Sequence, residues 1–492
     1  PIIPIGYGIL GLVVAVVIHE FAHGILTVVG KMKVKALGIV LMVVPMGAFV
    51  EPDEEALEKV DKKKRTSVYA VGPATNIIAA LIAGWAVFMA DAMRRGCSFK
   101  SLMRVSADGI KDSLIVVGIL LIIGMLTASW RAGGTILFFV YYGMKLITPR
   151  MFIVLTFALC SLLSYAIGTS FGVAGTMGVI FMAIARSGGA NEILTAGAVM
   201  SGIYFGDCCS PAASSMALTA SLCRTDAYAH SRRLLKANLL PMALCFVIYG
   251  TLSALHPSGQ VNTGLMAAIK NEYDVSWWVA LPAVIMLALP VMKVKTRLAM
   301  ALSIAAAGFT AVLLQHMSLW GFLKCLVMGY SRESAGLGSI LDGGGIVSML
   351  NVCAILAVSS TYSGIFSLSG MLDGLRDSLA AAMEKRGEFP VMLAASVLFG
   401  AVFCNQTIAI LMCAALLAPA YEKRGLSGDR LALDIGCSAV DLCGLVPWCI
   451  ACSVPLKLMG VGVSALPLSF LLYLLPLTYF IRDRRNRKKL LA

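Results

Sequence analysis

Long apolar runs alternate with short polar segments along almost the whole chain. A run of about 18 or more apolar residues can cross a bilayer as a helix, and we count roughly ten to twelve such segments. Composition agrees, because 59% of the 492 residues are hydrophobic and only 13% are charged, and a soluble protein carries about twice that charge. The pattern therefore predicts an all-α polytopic membrane protein.

Four apolar segments are interrupted by Gly, Ser, Thr, Asn or Pro residues. They are residues 166–176 and 202–215 in the first half, and 403–407 and 441–448 in the second half. In each half the second interrupted segment carries an Asp followed by a Pro, and we pair Asp207 with Asp441 on this basis. Paired interruptions of this kind predict an inverted-repeat transporter with discontinuous helices, whose halves cover about residues 112–255 and 345–480.

Each interruption also has a purely structural interpretation, in which a kinked helix satisfies its backbone through neighbouring Ser or Thr side chains. Two matched pairs, each with an Asp at membrane depth, favour a binding site at the bilayer midplane. For Asp441 an alternative stays open, namely a helix-end carboxylate that pairs with Lys457 or caps the segment holding Pro447.

From about residue 82 to the end, the chain resembles sodium/proton antiporters of the NhaC type. The resemblance rests on GTSFGVAGT at 168–176, YFGDCCSP at 204–211, RTD at 224–226, NQT at 405–407, YEKRGL at 421–426 and LVPW at 445–448. These pieces are specific as a set, although no single one is. Cys208 stands where relatives often carry a more polar residue, and the Asp that some relatives place after Ser-Pro is absent. Both departures leave ion choice and stoichiometry open.

The resemblance implies Na⁺/H⁺ exchange by alternating access. Asp207 is the residue expected to carry the exchange, because a carboxylate at membrane depth can trade a proton for Na⁺. Asp441 is the second candidate for ion or proton transport. The further candidate residues for the ion path are Ser210, Ser214, Asn405 and Thr407.

Residues 1–80 have a different sequence pattern from the rest of the chain, and we predict that they form a separate module. The run VVIHEFAHG places His19, Glu20 and His23 in an otherwise apolar helix. Histidines four apart share a helix face, so they can hold Zn²⁺ while the glutamate takes a proton from bound water. The alternative is a helix end at the membrane interface, where such side chains reach water.

This module resembles a fragment of the intramembrane zinc metalloproteases of the site-2 protease family. Besides the H-E-x-x-H run, the matching pieces are residues 36–50, which read as strand or re-entrant structure, and Gly72 followed by Asn76. The resemblance implies Glu20 as general base and Asn76 as a positioning residue. A catalytic zinc needs three protein ligands, and only the distant Asp342 offers a third, where a glycine turn is a sufficient explanation. We therefore expect a protease remnant.

Charge and cysteine usage change this picture little. The net charge of +14 comes largely from basic residues in short loops and at the C-terminus, as expected for cytoplasmic loops of a multi-pass protein of the cell membrane. We expect membrane lipid as a partner and no nucleic acid, and a homodimer is compatible with the sequence. The fourteen cysteines lie mostly in apolar runs, which is typical of reduced, buried thiols.

Three functions stay under comparison. The first is a secondary transporter that exchanges Na⁺ for H⁺. The second is an exchanger that also moves a small organic acid, and the third is an intramembrane zinc endopeptidase with Zn²⁺ as its cofactor. Length favours transport, because residues 82–492 make up most of the chain.

Overall fold

The computed structural model describes most of the chain outside its N-terminal part. The described residues are 25, 27–28, 34–41, 45–52, 78–79, 81–146, 149–256, 263–292, 294–331 and 342–491. His19, Glu20, His23 and Asn76 lie outside them, so the zinc prediction falls on residues that the structure does not describe.

Residues near the N-terminus form a β-hairpin. Strand β1 (Val34–Leu41) pairs with strand β2 (Pro45–Pro52) in antiparallel register, with Gly38 opposite Phe49. The sequence VKALGIVL is rich in Val, Ile and Leu, residues that suit a pleated strand, and Pro45 stands at the first position of β2, where a missing N–H is tolerated. Residues 36–50 are predicted as strand or re-entrant structure, and the described part of this range lies in the two strands of the hairpin.

The described chain after the hairpin is mainly helical, and residues 81–94 form a helical stretch ahead of the named helices. The helices of the first half are α1 (Phe99–Ala132), α2 (Thr135–Leu146), α3 (Phe152–Ile167), α4 (Ser170–Val173), α5 (Val179–Ser187), α6 (Glu192–Cys209), α7 (Ser214–Leu222) and α8 (Ala227–Leu255). Four helices follow before the second half, namely α9 (Thr263–Glu272), α10 (Leu281–Val291), α11 (Thr296–Leu313) and α12 (Leu319–Met328). A π-helical turn at Ala174–Gly178 joins α4 to α5.

The helices of the second half are α13 (Ile346–Ser369), α14 (Asp373–Arg386), α15 (Glu388–Phe403), α16 (Gln406–Lys423), α17 (Gly428–Gly436), α18 (Ala439–Leu442), α19 (Ile450–Met459) and α20 (Leu471–Leu491). Short 3₁₀ turns lie at Pro149–Met151, Trp277–Ala280, Cys443–Leu445 and Val463–Leu468. The named elements that follow the hairpin in the described part of the chain are therefore helices, as the apolar runs predict.

Helix boundaries in the two halves recur at one spacing. Helices α3 and α15 are each 16 residues long and begin at residues 152 and 388. Helices α4 and α16 begin at 170 and 406, and α6 and α17 begin at 192 and 428. Each pair is separated by 236 positions, so these elements begin in the same order and at the same spacing in both halves.

Six helices among the described residues are long and apolar enough to cross a membrane, and eight spans result if each of two sharply bent helix pairs counts as one. Three shorter apolar helices accompany them, including α3 and α15. The sequence predicts ten to twelve apolar segments, and helix breaks explain part of the difference, because they divide an apolar run into pieces shorter than a span. The chain is a multi-pass membrane protein.

The described residues group into two compact units. One contains the residues up to Ile110 together with Ala357–Ser369, and the other contains Lys111–Leu356 together with Gly370 and the residues after it. The module boundary predicted near residue 80 does not coincide with the change of unit after Ile110 or with the segment Ala357–Ser369. It stays a prediction. All the residues of the candidate site belong to the second unit.

Close packing of α3 against α6 sets the frame of the second unit. A Cβ atom on Gly206 would lie 2.1 Å from the backbone carbon of Ser164, so only glycine lets the two backbones approach this closely. The Ser164 hydroxyl donates to the carbonyl of Ile203 across the same contact. Small residues allow such approach between helices in a membrane, and here they fix the last turn of α6.

Candidate functional site

Two helix breaks of matching geometry lie in the two halves. Helix α3 ends at Gly168, which has φ 74°, and Thr169 then caps α4 by accepting a hydrogen bond from the Gly172 N–H. Helix α15 ends at Cys404, which has φ 54°, and Asn405 caps α16 by accepting from the Thr407 N–H at 2.9 Å. The capping residues have nearly the same backbone, φ −148° and ψ 118° in the first half against φ −143° and ψ 122° in the second.

Each of these breaks touches a second break in its own half. A Cβ atom on Gly168 would lie 2.6 Å from the backbone of Ala212, which belongs to the turn between α6 and α7. In the second half, the N–H of Ile450 donates to the carbonyl of Cys404 at 2.9 Å. Pro211 and Pro447 occupy the two turns, and proline there prevents the preceding helix from continuing. In each half, two helix breaks therefore lie side by side.

Asp207 lies in the last turn of α6, and its side chain is buried with 5% exposure. The Gln406 side-chain amide, at the start of α16, donates to Asp207 Oδ2 at 2.9 Å. The Ser215 hydroxyl of α7 lies 3.1 Å from Oδ1 and 2.6 Å from the Asp207 backbone carbonyl. Donors from two other helices thus hold this carboxylate in a fixed orientation.

Asp441 lies in α18 and is fully buried. Neither of its carboxyl oxygens has a hydrogen-bond partner among the described residues. It lies within electrostatic range of the Asp207 carboxyl. Gln406 connects the two, because its Nε2 also donates to the carbonyl of Val440 at 2.9 Å, next to Asp441 in the chain.

Tyr204 attaches the helix of Asp207 to the second half. Its ring is fully buried, and its hydroxyl donates to the carbonyl of Ala451 in α19 at 2.6 Å. Gly444 lies directly against the same ring, since a Cβ atom there would come within 2.7 Å of it. The end of α6 is therefore packed between elements of both halves.

The other predicted residues surround this centre without contacting either carboxyl through a described hydrogen bond. Ser210 is buried, and its hydroxyl accepts from the Ala212 N–H at 3.2 Å within the turn. Asn405 uses its side chain as a helix cap. Ser214 and Thr407 are exposed, and their neighbours Ser215 and Gln406 make the contacts to Asp207.

A second buried acid network was not predicted from the sequence. Asp434 in α17 is fully buried and accepts from the hydroxyls of Tyr421 and Tyr479, each at 2.7 Å, and from Arg430 Nε at 3.1 Å. Arg430 also pairs with Asp483 in α20. The network joins α16, α17 and α20, and every oxygen of Asp434 has a donor, which is how a buried carboxylate becomes tolerable.

Comparisons with known proteins agree with a transport site. The family model described as the Na⁺/H⁺ antiporter family matches residues 65–254 and 202–481. A Haemophilus influenzae protein named as an uncharacterized Na⁺/H⁺ antiporter is 30% identical over 411 residues, which cover 80% of this chain and 86% of that protein.

Two further relatives have more specific names. The malate-2H⁺/Na⁺-lactate antiporter of Bacillus subtilis is 27% identical over 376 residues, covering 75% of this chain and 80% of the relative. The Na⁺/H⁺ antiporter NhaC of Alkalihalophilus pseudofirmus is 25% identical over 377 residues, covering 75% of this chain and 81% of the relative.

None of these matches supports the site-2 protease resemblance. Within the described ranges, no group of three or more His, Cys, Asp or Glu side chains could hold a metal ion. Near Asp342 the backbone turns through Gly343, Gly344 and Gly345, all with positive φ, as a glycine turn predicts. The family model covers well over half of the sequence, and the chain therefore belongs to the Na⁺/H⁺ antiporter family.

Proposed function

We propose that this protein is a secondary transporter that exchanges Na⁺ for H⁺ across the cell membrane by alternating access. The observation that carries the proposal is the position of Asp207, a buried carboxylate at the meeting of helix ends from both halves. Membership of the antiporter family supports the choice of ions. Ionisable side chains at membrane depth are costly, and those retained in transporters commonly line ion or proton pathways.

The chemistry at Asp207 follows from its partners. The Gln406 amide and the Ser215 hydroxyl donate to its two oxygens, so the carboxylate keeps its place when the proton leaves. Na⁺ is a hard cation that prefers oxygen ligands, and backbone carbonyls at helix breaks can add to the carboxylate oxygens. Binding Na⁺ and binding H⁺ then exclude each other at the same atoms, which couples the two fluxes.

The repeated helix boundaries support two halves of one repeat, and an inverted arrangement of the two halves in the membrane is part of this proposal. The breaks at Gly168 and Cys404 are 236 positions apart, and so are Pro211 and Pro447. At this spacing Asp207 corresponds to Cys443. Asp441 therefore lies two positions from the equivalent of Asp207. The two acids are close in space, but they are not equivalent positions of the repeat.

Exchange coupled to a small organic acid is the second candidate function. The relative in Bacillus subtilis named as a malate-2H⁺/Na⁺-lactate antiporter favours it. A homodimer also stays a prediction. The zinc endopeptidase alternative has no support from the comparisons.

Transport by the purified full-length chain in proteoliposomes tests the proposal. We would impose a pH gradient and follow its dissipation on adding Na⁺, Li⁺, K⁺ or malate, for the wild type and for Asp207→Asn. Dissipation by Na⁺ that is absent in Asp207→Asn is the expected result. A gradient that no cation dissipates would contradict Na⁺/H⁺ exchange, and dissipation by Na⁺ only with malate present would favour the second candidate. A Ser214→Ala variant serves as control, because this exposed side chain makes no described contact with Asp207.

A further inference from the structure

A groove lies between helices α8 and α20 of the second unit. Its volume is about 330 Å³, which falls within the range of ligand pockets, about 300–1,000 Å³. The described lining contains no acidic side chain. It contains two contrasting sets of side chains, namely the cations Lys236, Arg482 and Arg485 and the apolar residues Leu239, Leu240 and Ile481. The groove therefore combines positive charge with an apolar surface.

The three cations of the groove differ from the arginines beside them, because those arginines have acidic partners. Arg233, one turn before Lys236 on α8, pairs with Asp429 at 2.6 Å. Asp483, next to the basic residues of α20, pairs with Arg430 of α17 instead. None of the three groove cations forms an ion pair within the described part of the chain. The groove thus keeps three positive charges for which these acids give no counter-charge.

Helices α8 and α20 run antiparallel, and the groove lies well away from the start of α20. The Tyr249 hydroxyl, late in α8, lies 2.7 Å from the carbonyl oxygen of Leu468 and accepts from the Phe470 N–H at 3.3 Å, just before α20 begins. Lys236 and Tyr249 are 13 positions apart, which is about 20 Å along a helix. The early turns of α8 therefore lie beside the later turns of α20.

Both helices change from apolar to basic at the level of the groove. On α8, basic residues lie between Arg232 and Lys236, and the apolar run begins at Leu239. On α20, the apolar run ends at Ile481, and the basic sequence RDRRNRKK follows. Such a change is typical of the boundary between hydrocarbon and headgroups, and an excess of basic residues indicates the cytoplasmic side. We therefore expect the groove at the depth of the phospholipid phosphates of that leaflet.

The inner wall of the groove holds one of its cations in place. Tyr479 lines the groove and is 4% exposed, and its hydroxyl donates to Asp434 Oδ1 at 2.7 Å. The guanidinium carbon of Arg482 lies 5.2 Å from the centroid of this ring, within the range of a cation–π interaction. Arg482 is thus ordered beside the groove before any ligand arrives, which lowers the entropy cost of binding an anion.

The two sets of side chains together define the class of ligand. Arginine and lysine side chains bind phosphate well. A small soluble anion has no use for the apolar wall, whose Leu239, Leu240 and Ile481 are 69%, 58% and 57% exposed. An anionic phospholipid supplies both a phosphate and acyl chains, and basic pockets between membrane helices on the cytoplasmic side bind such headgroups. A zwitterionic lipid carries an additional ammonium group, which three cations repel.

We propose that the groove between α8 and α20 is a binding site for an anionic phospholipid of the cytoplasmic leaflet. Its phosphate contacts Lys236, Arg482 and Arg485, and an acyl chain lies along Leu239 and Ile481. The bound lipid bridges two helices that are far apart in sequence. The site adds a ligand to the molecule, and its occupation does not depend on which ion the protein transports.

Thermal unfolding of the purified full-length protein in a neutral detergent tests this site. Phosphatidylglycerol or phosphatidylcholine is added over a range of mole fractions, and a lipid that binds the folded state raises Tm. We expect a rise with phosphatidylglycerol and little change with phosphatidylcholine. Substituting all three cations, as Lys236→Gln/Arg482→Gln/Arg485→Gln, should weaken the apparent affinity for phosphatidylglycerol about 100-fold.

The single variants keep the test valid if the triple variant does not fold. Lys236→Gln and Arg482→Gln should each weaken the apparent affinity about fivefold, since each removes one cation near the phosphate. Wild-type affinity for phosphatidylglycerol in both single variants would overturn the proposal.

A charge-matched control separates the groove from general surface charge. Arg232→Gln/Lys385→Gln/Arg386→Gln also removes three positive charges, all from exposed side chains outside the groove. We expect this variant to respond to phosphatidylglycerol as the wild type does. An equal loss of affinity in the control and in the groove variant would refute a site at the groove.

Two further arms identify the ligand. Inorganic phosphate, added in the same range, should leave Tm unchanged, because it gains nothing from the apolar wall. A rise with phosphate as large as that with phosphatidylglycerol would show a site for a free anion, and equal rises with both lipids would show that charge does not matter. Either result would overturn the proposal. Na⁺/H⁺ exchange is tested separately by transport, so these outcomes leave it unaffected.

Discussion

Asp207 and Asp441 are both buried, yet their surroundings are opposite. Two side-chain donors hold the oxygens of Asp207, whereas those of Asp441 have no hydrogen-bond partner among the described residues. A carboxylate with donors can lose its proton and keep its position. A carboxyl group without donors is stable only when it carries a proton or a cation. Burial alone therefore does not distinguish the two carboxyl groups, whereas their hydrogen-bond partners do.

The largest expected effect comes from removing the charge at Asp207. Asp207→Asn keeps the size of the side chain but cannot release a proton, so we expect Na⁺-dependent exchange to fall by at least about 100-fold. Uptake of radioactive Na⁺ into proteoliposomes driven by a pH gradient measures this loss. If the variant retained half of the wild-type rate, the proton carrier would have to be another group, and Asp441 would be the first to examine.

Replacing Asp434 or Asp441 by Asn should change the free energy of unfolding in different directions. Asp434→Asn weakens the acceptor of two tyrosines and Arg430, and we expect the free energy of unfolding to fall by about 2 kcal/mol. Asp441→Asn removes a carboxyl group that has no described donor, and we expect the free energy of unfolding to stay the same or rise.

Thermal unfolding in detergent without Na⁺ compares these two variants directly. Asp434→Asn should also keep the wild-type KM for Na⁺, because its network lies outside the proposed ion path. A larger loss of stability in Asp441→Asn than in Asp434→Asn would show that Asp441 has a structural partner. The contrast drawn above between Asp207 and Asp441 would then be wrong.

Gln406 is expected to have an intermediate effect. Gln406→Leu keeps a similar volume and removes the donor to Asp207 Oδ2 and to the Val440 carbonyl, so we expect kcat/KM for Na⁺ to fall about tenfold. Thr407→Ala changes the next residue, which is exposed, and should stay within about twofold of the wild type. Initial rates over a range of Na⁺ concentrations separate the two. Equal losses of kcat/KM in Gln406→Leu and Thr407→Ala would indicate that both substitutions damage the capping turn at Asn405.

The smallest effect distinguishes two adjacent hydroxyls. Ser215→Ala removes the donor to Asp207 Oδ1 but leaves Gln406 in place, and we expect a loss of about threefold in kcat/KM. Ser214→Ala, at the exposed neighbour, should leave the rate unchanged. The same initial-rate assay applies to both. A larger loss of kcat/KM in Ser214→Ala than in Ser215→Ala would mean that Ser214, and not Ser215, faces Asp207 during transport.

Much of the fold is predictable from the sequence because lipid limits the options. Apolar runs must be helical in a membrane, and runs interrupted by Gly, Ser and Pro break where the structure shows breaks, near Gly168 and Pro211. The break in the second half was predicted from the polar run Asn405-Gln406-Thr407. Its left-handed residue was not, because a cysteine with φ 54° is uncommon, whereas the equivalent position in the first half is a glycine.

The site is less predictable, because its contacts depend on single-residue register. The sequence indicates Asp207 as a buried acid, but the predicted ion-path residues Ser214 and Thr407 are exposed, and their neighbours Ser215 and Gln406 contact Asp207 instead. A shift of one residue turns a side chain by about 100° around a helix, and the sequence alone does not fix that register.

The constant separation of 236 positions between matching helix boundaries has a consequence for the history of the molecule. If the two halves arose by duplication of one ancestral segment, each position has a partner that descends from the same ancestor. Asp207 then shares its origin with Cys443, and Asp441 shares its origin with Phe205. Each of these two ancestral positions would then have changed in at least one copy after the duplication. The asymmetry of the site would therefore be younger than the symmetry of the fold.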